Sequence, residues 1–415
     1  MPEEIDDPLA WARDHTPILR SFGDEHETDT PLEDYTVAVA SHLEATTGIL
    51  IETLWRAGAD VVFAPSEPQS THGDVVEYLD GKAGITAYAE EGMSDEAFAA
   101  AQHELLEERP DVILDDGCEL MAKVHADHPE IAETVLGGAE QTTAGIHRLE
   151  AMDEDNVLEF PVYGVNDTPM KHFFDNVHGT GESALANVMI TTNAQLSGKT
   201  VVVAGYGYVG RGIARKARGI GAQTVVTEVD PRKALQAHMD GHRIMNMTDA
   251  ATEGDLFITA TGNAEVIRRE HIERMTDGAT LCNAGHFDVE IETGALEDLA
   301  DRTTSPTAGV TQYHLPDGRR LNLLAGGRLV NLTGPYSQGH PAEVMDTTFA
   351  MMFVAGRDHI DGEGGDALAP GLYTVPDRLD RAVAERKLET LDIDIDALTD
   401  AQRDYLGSWE HADSY

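Results

Sequence analysis

An apolar, β-branched run, Thr200-Val-Val-Val-Ala204, leads into Gly205-x-Gly207-x-x-Gly210, and a second run, Thr224-Val-Val-Thr-Glu228, closes with an acid 18 residues after the last glycine. That arrangement is a dinucleotide-binding fingerprint in its βαβ setting. Gly205 permits a tight turn, Gly207 lets backbone approach a pyrophosphate at a helix N-terminus, and Gly210 allows close helix-to-strand packing. Glu228 can hold a ribose through its hydroxyls, and an acid there favours NAD over NADP. A bare glycine triplet would fit any βα turn; the flanking strands and the acid give it a cofactor.

Four further clusters hold polar groups that could act on a ligand. Asp115-Asp116-Gly117 ends a strand with two carboxylates that alternate in direction, so one can face a ligand. Gly137-Gly138-Ala139-Glu140-Gln141-Thr142-Thr143-Ala144-Gly145 offers hydroxyls and an amide on a glycine-flanked turn. Between Asn166 and Asn176, Lys171 and Asp175 share one face if helical. Asn283-Ala284-Gly285-His286 sets an imidazole after a strand. Each has a plainer reading taken alone: a helix N-cap for the aspartates, a turn for the threonines, a solvated pair worth ~0.3 kcal/mol for Lys171 and Asp175, and a structural role for His286.

The elements that must position these groups alternate. Runs at 60–64, 84–88, 111–115 and 160–165 are separated by helical patterns, which indicates a parallel sheet. Each ends in polar residues, where open α/β sheets place ligands. After Glu228 come a helix at 232–239 and strands at 256–261, 279–283 and near 328–332, completing a Rossmann unit. A helix over 342–355, a Gly-rich break at 362–371 and an amphipathic acidic tail follow.

Composition narrows the partners. The 415 residues carry 75 Asp plus Glu against 29 Lys plus Arg, a formal charge of -46, and seven of the basic residues are lysine. Such a surface repels nucleic acid and anionic lipid. The acid is spread along the chain, unlike a disordered acidic arm. High ionic strength would screen the self-repulsion, with a Debye length of about 3 Å at 1 M, so the balance reads as adaptation to a high-salt cytoplasm. Cys118 and Cys282 are the two cysteines, giving neither a disulfide framework nor a CxxC metal site, and no metal is expected. The N-terminus is acidic, without the apolar segment of a leader, and no run approaches the ~18 apolar residues of a membrane helix. A cytoplasmic location is expected.

In series, the motifs resemble S-adenosylhomocysteine hydrolase (adenosylhomocysteinase) over nearly the whole chain. The resemblance rests on a helix from His42 to Glu52, Ile113-Leu-Asp-Asp-Gly117, a Glu-x-Thr-Thr turn, Asn-Asp-x-x-x-Lys-x-x-x-Asp-Asn176, Gly-Tyr-Gly-x-x-Gly-x-Gly212, Thr-Glu-x-Asp-Pro231, Gly285-His-Phe-Asp-Val-Glu290, Gly-Gly-Arg-Leu-Val-Asn-Leu332 and Gly339-His-Pro341. Thr180-Gly181 and the short C-terminus are similar to the archaeal branch.

The resemblance implies a reversible hydrolysis that belongs to the methyl cycle of one-carbon metabolism and uses tightly held NAD without net redox. The ribose 3′ carbon is oxidised, the 4′ C–H becomes acidic, homocysteine leaves C5′, water adds, and hydride returns. It gives proton-moving roles to His42, Asp116, Lys171, Asp175 and His286, and nucleoside contacts to Glu44, Gln141, Lys171, Asp175 and His340. Cofactor contacts fall to Thr142, Thr143, Ala144, Asn176, Gly205, Gly207, Tyr208, Val209, Gly210, Arg211, Gly212, Glu228, Lys233, Asn263, Ala284, Gly285, His286 and Asn331. It further implies a Rossmann domain at 183–340 inserted in a second parallel α/β substrate domain (1–182 and 341–375). Residues 376–415 would form an arm joining a homo-oligomer, a homotetramer.

Departures from the family pattern concentrate in the substrate half. Gln141 replaces a carboxylate, Thr46 replaces a longer polar residue, and Glu67-Pro-Gln-Ser-Thr71 stands where the family reads Asn-Pro-Leu-Ser-Thr. They keep two other readings open, a sister hydrolase for a thioether such as S-inosylhomocysteine and a catalytically silent NAD-binding regulator; a conventional NAD dehydrogenase is a further alternative.

Overall fold

The computed structural model describes residues 7–362 and 368–409. The start of the acidic N-terminus, half of the Gly-rich break and the last six residues lie outside that range. The chain builds two sheets in chain order. The first takes β1 (Thr36–Ser41), β2 (Asp60–Pro65), β3 (Ile85–Ala87), β4 (Val112–Asp115), β5 (Gly137–Glu140) and β6 (Pro161–Gly164). The second takes β7 (Thr200–Ala204), β8 (Gln223–Thr227), β9 (Arg243–Ile244), β10 (Leu256–Thr259), β11 (Thr280–Asn283), β12 (Arg302–Thr307), β13 (Val310–His314) and β14 (Arg320–Leu324). β15 (Gly371–Thr374) returns to pair with β6, so the second sheet is inserted in the chain of the first.

Both sheets run outward from a central pair. The first has the order β3-β2-β1-β4-β5-β6-β15 and every pairing is parallel. In the second, β9-β8-β7-β10-β11-β14 repeats the parallel order and β13 and β12 extend it antiparallel. Both faces of each sheet are covered, which explains the continuous apolar runs. Val37, Val39, Val61, Phe63, Val112 and Leu114 point into one core with the helices Ala45–Arg56 and Ala342–Asp361; Ala38, Ala40, Val62, Ala64 and Ile113 point into the opposite one. Val201 and Val203 likewise face away from Val202 in the second sheet. A fully buried Val or Phe contributes roughly 1.5–3 kcal/mol, so these rows fix the register.

Several sequence expectations change. The strand expected near 328–332 is not one: β14 ends at Leu324, Gly326 and Gly327 turn the chain at positive φ, and one bridge, Asn283 to Leu329, remains. The turn expected at 137–145 is the interior strand β5 followed by the helix Thr143–Glu154. Glycines serve there because a Cβ on Gly137 would lie 2.3 Å from the His359 ring, and one on Gly138 would lie 2.7 Å from Met121 Sδ. β1 was not expected at all. The helix placed at His42 to Glu52 starts at Ala45, with Glu44 as its N-cap, so His42 stands on the loop beyond β1. In the tail, Asp377–Thr390 packs back on its own chain through Val383, Arg386 to Ser21 and Lys387 to Asp346. Among the described residues no helix is long and apolar enough to cross a membrane.

Candidate active site

In the first sheet the chain leaves β1 toward β2 and leaves β4 toward β5, so the loops part and open a crevice at the strand ends. His42 follows β1 and Asp116 follows β4. His42 Nε2 lies 3.7 Å from Asp116 Oδ2, and His286, arriving from beyond β11 in the other domain, puts Nδ1 3.7 Å from Asp116 Oδ1. His286 sits so close over Gly117 (φ +98) that a Cβ there would be 2.6 Å from its Nε2. Facing atoms of His42, Asp116 and His286 lie within 4.8 Å of one another, a spacing that suits proton exchange and that a divalent ion could also use.

Burial lowers both imidazoles, favouring their neutral forms. Burial by itself would raise the Asp116 carboxyl; His42, His286, the Gln141 amide and Lys171 together bring it below its ordinary range. Gln141 Nε2 donates to Asp116 Oδ2 at 2.7 Å and to Ser41 Oγ at 3.3 Å, leaving Gln141 Oε1 and Asp116 Oδ1 buried without hydrogen-bond partners. Buried acceptors in that state are costly unless a ligand meets them.

The loop under Asp116 is held by Glu140, a residue without an assigned role in its Glu-x-Thr-Thr motif. Its carboxylate accepts from Gly117 N at 3.0 Å, Cys118 N at 2.8 Å, and Thr142 N and Oγ1 at 2.7 Å each. One buried side chain thus ties the Asp116 loop to the Thr142 turn. Its neighbour Asp115 caps the next helix by accepting from Met121 N. Burial raises both carboxyls, Asp115 to about 7.

Lys171 and Asp175 do share a face, but the segment is not a simple α-helix. Pro169–Lys171 is α-helical and His172–Gly179 is π-helical, which brings residues five apart together. Lys171 Nζ donates to Asn176 Oδ1 at 2.6 Å and lies 3.6 Å from Asp175 Oδ1. Asp175 also meets His340 Nδ1 at 2.9 Å and accepts from Thr348 Oγ1 at 2.7 Å. Burial would raise Asp175; Lys171, His340 and Thr348 override it and hold it well below the ordinary range. Asn166 accepts from Asn176 Nδ2 at 3.1 Å and from Thr143 Oγ1 at 3.3 Å, joining the Lys171 segment to the threonine turn. Asn166 opens a recognisable motif; nothing in the sequence marked Thr348, 173 residues from its partner.

Above β7 and β10 the second crevice fits a dinucleotide. The three glycines differ in a telling way. A Cβ on Gly205 (φ +95) would lie 2.6 Å from Ala260 O and one on Gly210 would lie 2.1 Å from Gly205 O, whereas one on Gly207 would meet nothing within 4 Å. Gly207 borders open space at the N-cap of the helix Tyr208–Gly219, the place for a pyrophosphate. A Cβ on Gly212 would lie 2.0 Å from Val177 O, so the helix lies tight on the Lys171 segment. There, Tyr208 stacks on His172 at 4.2 Å, with Arg211 5.4 Å from the Tyr208 ring; Val209 packs against the core.

Glu228 is half-buried, its Oε2 accepting from Tyr206 N at 2.7 Å and its Oε1 from Val229 N at 2.7 Å. Lys233 is exposed two residues into the next helix, and Asn263 is exposed beyond β10. Ala284 and Gly285 follow β11, where Asn283 Oδ1 accepts from Gly285 N at 2.7 Å. Asn331 is fully buried and neither amide atom has a hydrogen-bond partner, so both atoms are open to a ligand. Ala144 lies in the first turn of the helix capped by Thr142. Glu44 is buried under Gly339, where a Cβ would come within 2.0 Å of its carboxylate; burial, then Asp116 and Asp175, push it up to about 8.

The domains also meet through charge, since Arg328 Nη1 lies 3.0 Å from Glu67 Oε1, while its Nε lies 3.7 Å from Asp288 Oδ2 of its own domain. Glu67, one of the departures, has thus found a partner in the other domain.

Comparison with known proteins agrees with this geometry. Residues 7–128 match the family model for S-adenosyl-L-homocysteine hydrolase, and residues 176–336 match the model for its NAD-binding domain. The chain is 50% identical over 404 residues to the adenosylhomocysteinase of Haloquadratum walsbyi strain C23, covering 97% of this chain and 93% of that one. It is 50% identical over 403 residues to that of Halobacterium salinarum, covering 97% and 94%. It is 48% identical over 405 residues to the S-inosyl-L-homocysteine hydrolase of Methanopyrus kandleri, covering 97% and 94%. With matches of this extent on both halves, the chain belongs to the S-adenosyl-L-homocysteine hydrolase family.

Proposed function

We propose that the chain catalyses the reversible hydrolysis of S-adenosyl-L-homocysteine to adenosine and L-homocysteine with a retained NAD. The observation that carries the reading is the convergence of buried proton-moving groups, Asp116, His42, Lys171 and Asp175, with His286 from the domain that holds the dinucleotide turn. Gly207, Glu228 and Asn331 are the residues we assign to the pyrophosphate, the adenosine ribose and the nicotinamide carboxamide. NAD, when bound, supplies reversible oxidation at the ribose 3′ carbon, which acidifies the adjoining 4′ C–H.

This chain's side chains then divide the proton work. Lys171, oriented by Asn176 and Asp175, takes the proton of the 3′-hydroxyl. Asp175 and Gln141 Oε1 accept from ribose hydroxyls. Asp116, kept anionic, and His42, kept neutral by burial, move the protons at C4′ and C5′ as the thioether leaves and water adds. His286 closes over them from the cofactor domain and excludes bulk water.

We assign the substrate unit to 1–182 and 341–375, the NAD unit to 183–340, and 376–415 to contacts within a homotetramer. The charge of -46 supports work in a salt-rich cytoplasm. A second reading, hydrolysis of S-inosyl-L-homocysteine, is favoured by Gln141 in place of a carboxylate and by the relative so named. Mixing the purified protein with adenosine, inosine or deoxyadenosine and following reduction of bound NAD tests both: adenosine should reduce it fastest. Preference for inosine would move the substrate to the inosyl thioether. No reduction by any nucleoside would sink both readings.

A further inference from the structure

We propose that Ser70 is a positioning residue that fixes the His42 ring with its proton on Nδ1, leaving Nε2 as the free lone pair toward Asp116. The hydrolase reading says what that lone pair does; hydrogen-bond geometry alone says where the proton sits. A serine hydroxyl has one proton to donate. Ser70 Oγ lies 2.9 Å from the Glu67 carbonyl oxygen, which can only accept, and 2.6 Å from His42 Nδ1. Once the hydroxyl donates to Glu67, Ser70 Oγ faces the ring as an acceptor. Nδ1 must then be the donor.

The far side of the ring agrees. Nε2 lies 3.7 Å from Asp116 Oδ2, beyond hydrogen-bond reach, and that oxygen already accepts from Gln141 Nε2 at 2.7 Å and from Ser41 Oγ at 3.3 Å. Ser70 is in no position to drift. It is 5% exposed, its own N–H donates to Glu67 O at 3.2 Å, and its carbonyl accepts from Leu43 N at 3.0 Å. Leu43 in turn bridges to Thr71, so the Ser70 segment is pinned to the chain that carries His42. Burial favours the neutral ring, the form in which the choice of tautomer decides whether the site owns a base or a donor.

With Nε2 free, His42 can take the C4′ proton: the C–H bond breaks, its electron pair passes into the enolate of the 3′-ketone, and the proton goes to Nε2. With the proton already on Nε2 it cannot. The inference places Ser70 in the same relation to His42 as the buried orienting acid of a catalytic triad has to its histidine, with a neutral hydroxyl in place of a carboxylate.

The test reads the tautomer directly. Holoenzyme labelled with 15N-histidine, with the His42 signals identified by their loss in His42→Gln, is recorded by long-range proton–nitrogen correlation at neutral pH. Protonated Nδ1 with unprotonated Nε2 is expected; a proton on Nε2 of the wild type overturns the assignment without any further variant. Ser70→Ala should mix or invert the pattern, and Ser70→Thr, which keeps a hydroxyl, should retain it. In the same proteins, exchange of the nucleoside 4′ hydrogen with solvent deuterium should slow by about 10- to 100-fold in Ser70→Ala, part of the ~10²- to 10⁴-fold a general base supplies. Reduction of bound NAD should slow less. Equal slowing of both steps with an unchanged tautomer would mean that Ser70 serves the fold alone. If wild type neither reduces NAD nor exchanges the 4′ hydrogen with any nucleoside, the hydrolase reading fails, and the tautomer spectrum still decides the place of the proton.

Discussion

The crevice above β7 and β10 and the crevice above β1 and β4 share a strand order, but backbone makes the first and side chains make the second. Around the dinucleotide turn the decisive features are missing atoms: Gly205 and Gly210 have no room for a Cβ, and Gly207 leaves its room to a ligand. Around Asp116 the decisive features are buried polar groups drawn from the loops beyond β1, β4, β5 and β6, from the helix Ala342–Asp361 and from the other domain. A backbone site is specified by a few consecutive residues. A side-chain site is specified by long-range packing, and single substitutions can retune it without dissolving it.

That contrast can be broken most forcefully at the glycines. Gly210→Ala should unfold the cofactor domain, since its Cβ would sit 2.1 Å from Gly205 O, at a cost above ~4 kcal/mol. Gly207→Val should leave the cofactor-free fold intact and weaken NAD by about 100-fold, ~2.7 kcal/mol. Thermal melts with and without added NAD separate the two; equal behaviour would show that the turn does not discriminate fold from ligand.

On the side-chain crevice, Lys171→Ala should slow reduction of bound NAD by adenosine by ~10²- to 10⁴-fold. A stopped-flow trace as fast as wild type would leave Lys171 a structural role only.

Gln141→Glu should act more mildly. Its new carboxylate would stand where an amide now donates to Asp116 at 2.7 Å, and two carboxylates that close cannot both ionise freely. The acid limb of kcat should move upward by roughly one unit, about 10-fold in rate on that limb. An unmoved profile would mean that residue 141 leaves Asp116 and turns to the substrate alone.

The smallest effect concerns Glu44, raised from 4.5 to about 8 by burial, then by Asp116 and Asp175. Between those values the folded chain holds a proton that the unfolded chain has lost, so stability falls as pH rises through that window. Asp115, raised to about 7, adds a slope of the same sign. Glu44→Gln should make the fall in Tm shallower by ~1–3 °C when followed in molar KCl. An equal slope in both proteins would show that Glu44 does not hold that proton.

The insertion of one unit in the other was implied by the family resemblance, whereas residue types and spacing by themselves determined the glycine turn between its two strands, the acid that closes the second of them, and the order of the polar clusters. Each depends on neighbours a few positions apart, or on apolar runs long enough to declare a two-sided sheet. The same reading took β5 for a turn, because Gly137 and Gly138 look like loop residues until His359 and Met121 are packed against them. It passed over β1, put His42 inside a helix, and made a strand of 328–332, where two positive-φ glycines let the chain leave the sheet. Only the tertiary structure decided that Gln141 spends its amide on Asp116, that Glu140 ties two loops together, that Thr348 reaches Asp175, and that Ser70 faces His42. Apart from the short Glu140 to Thr142 link, those contacts join residues 22 to 173 positions apart, and their hydrogen bonds are set by how the strands and helices pack, which no local pattern encodes.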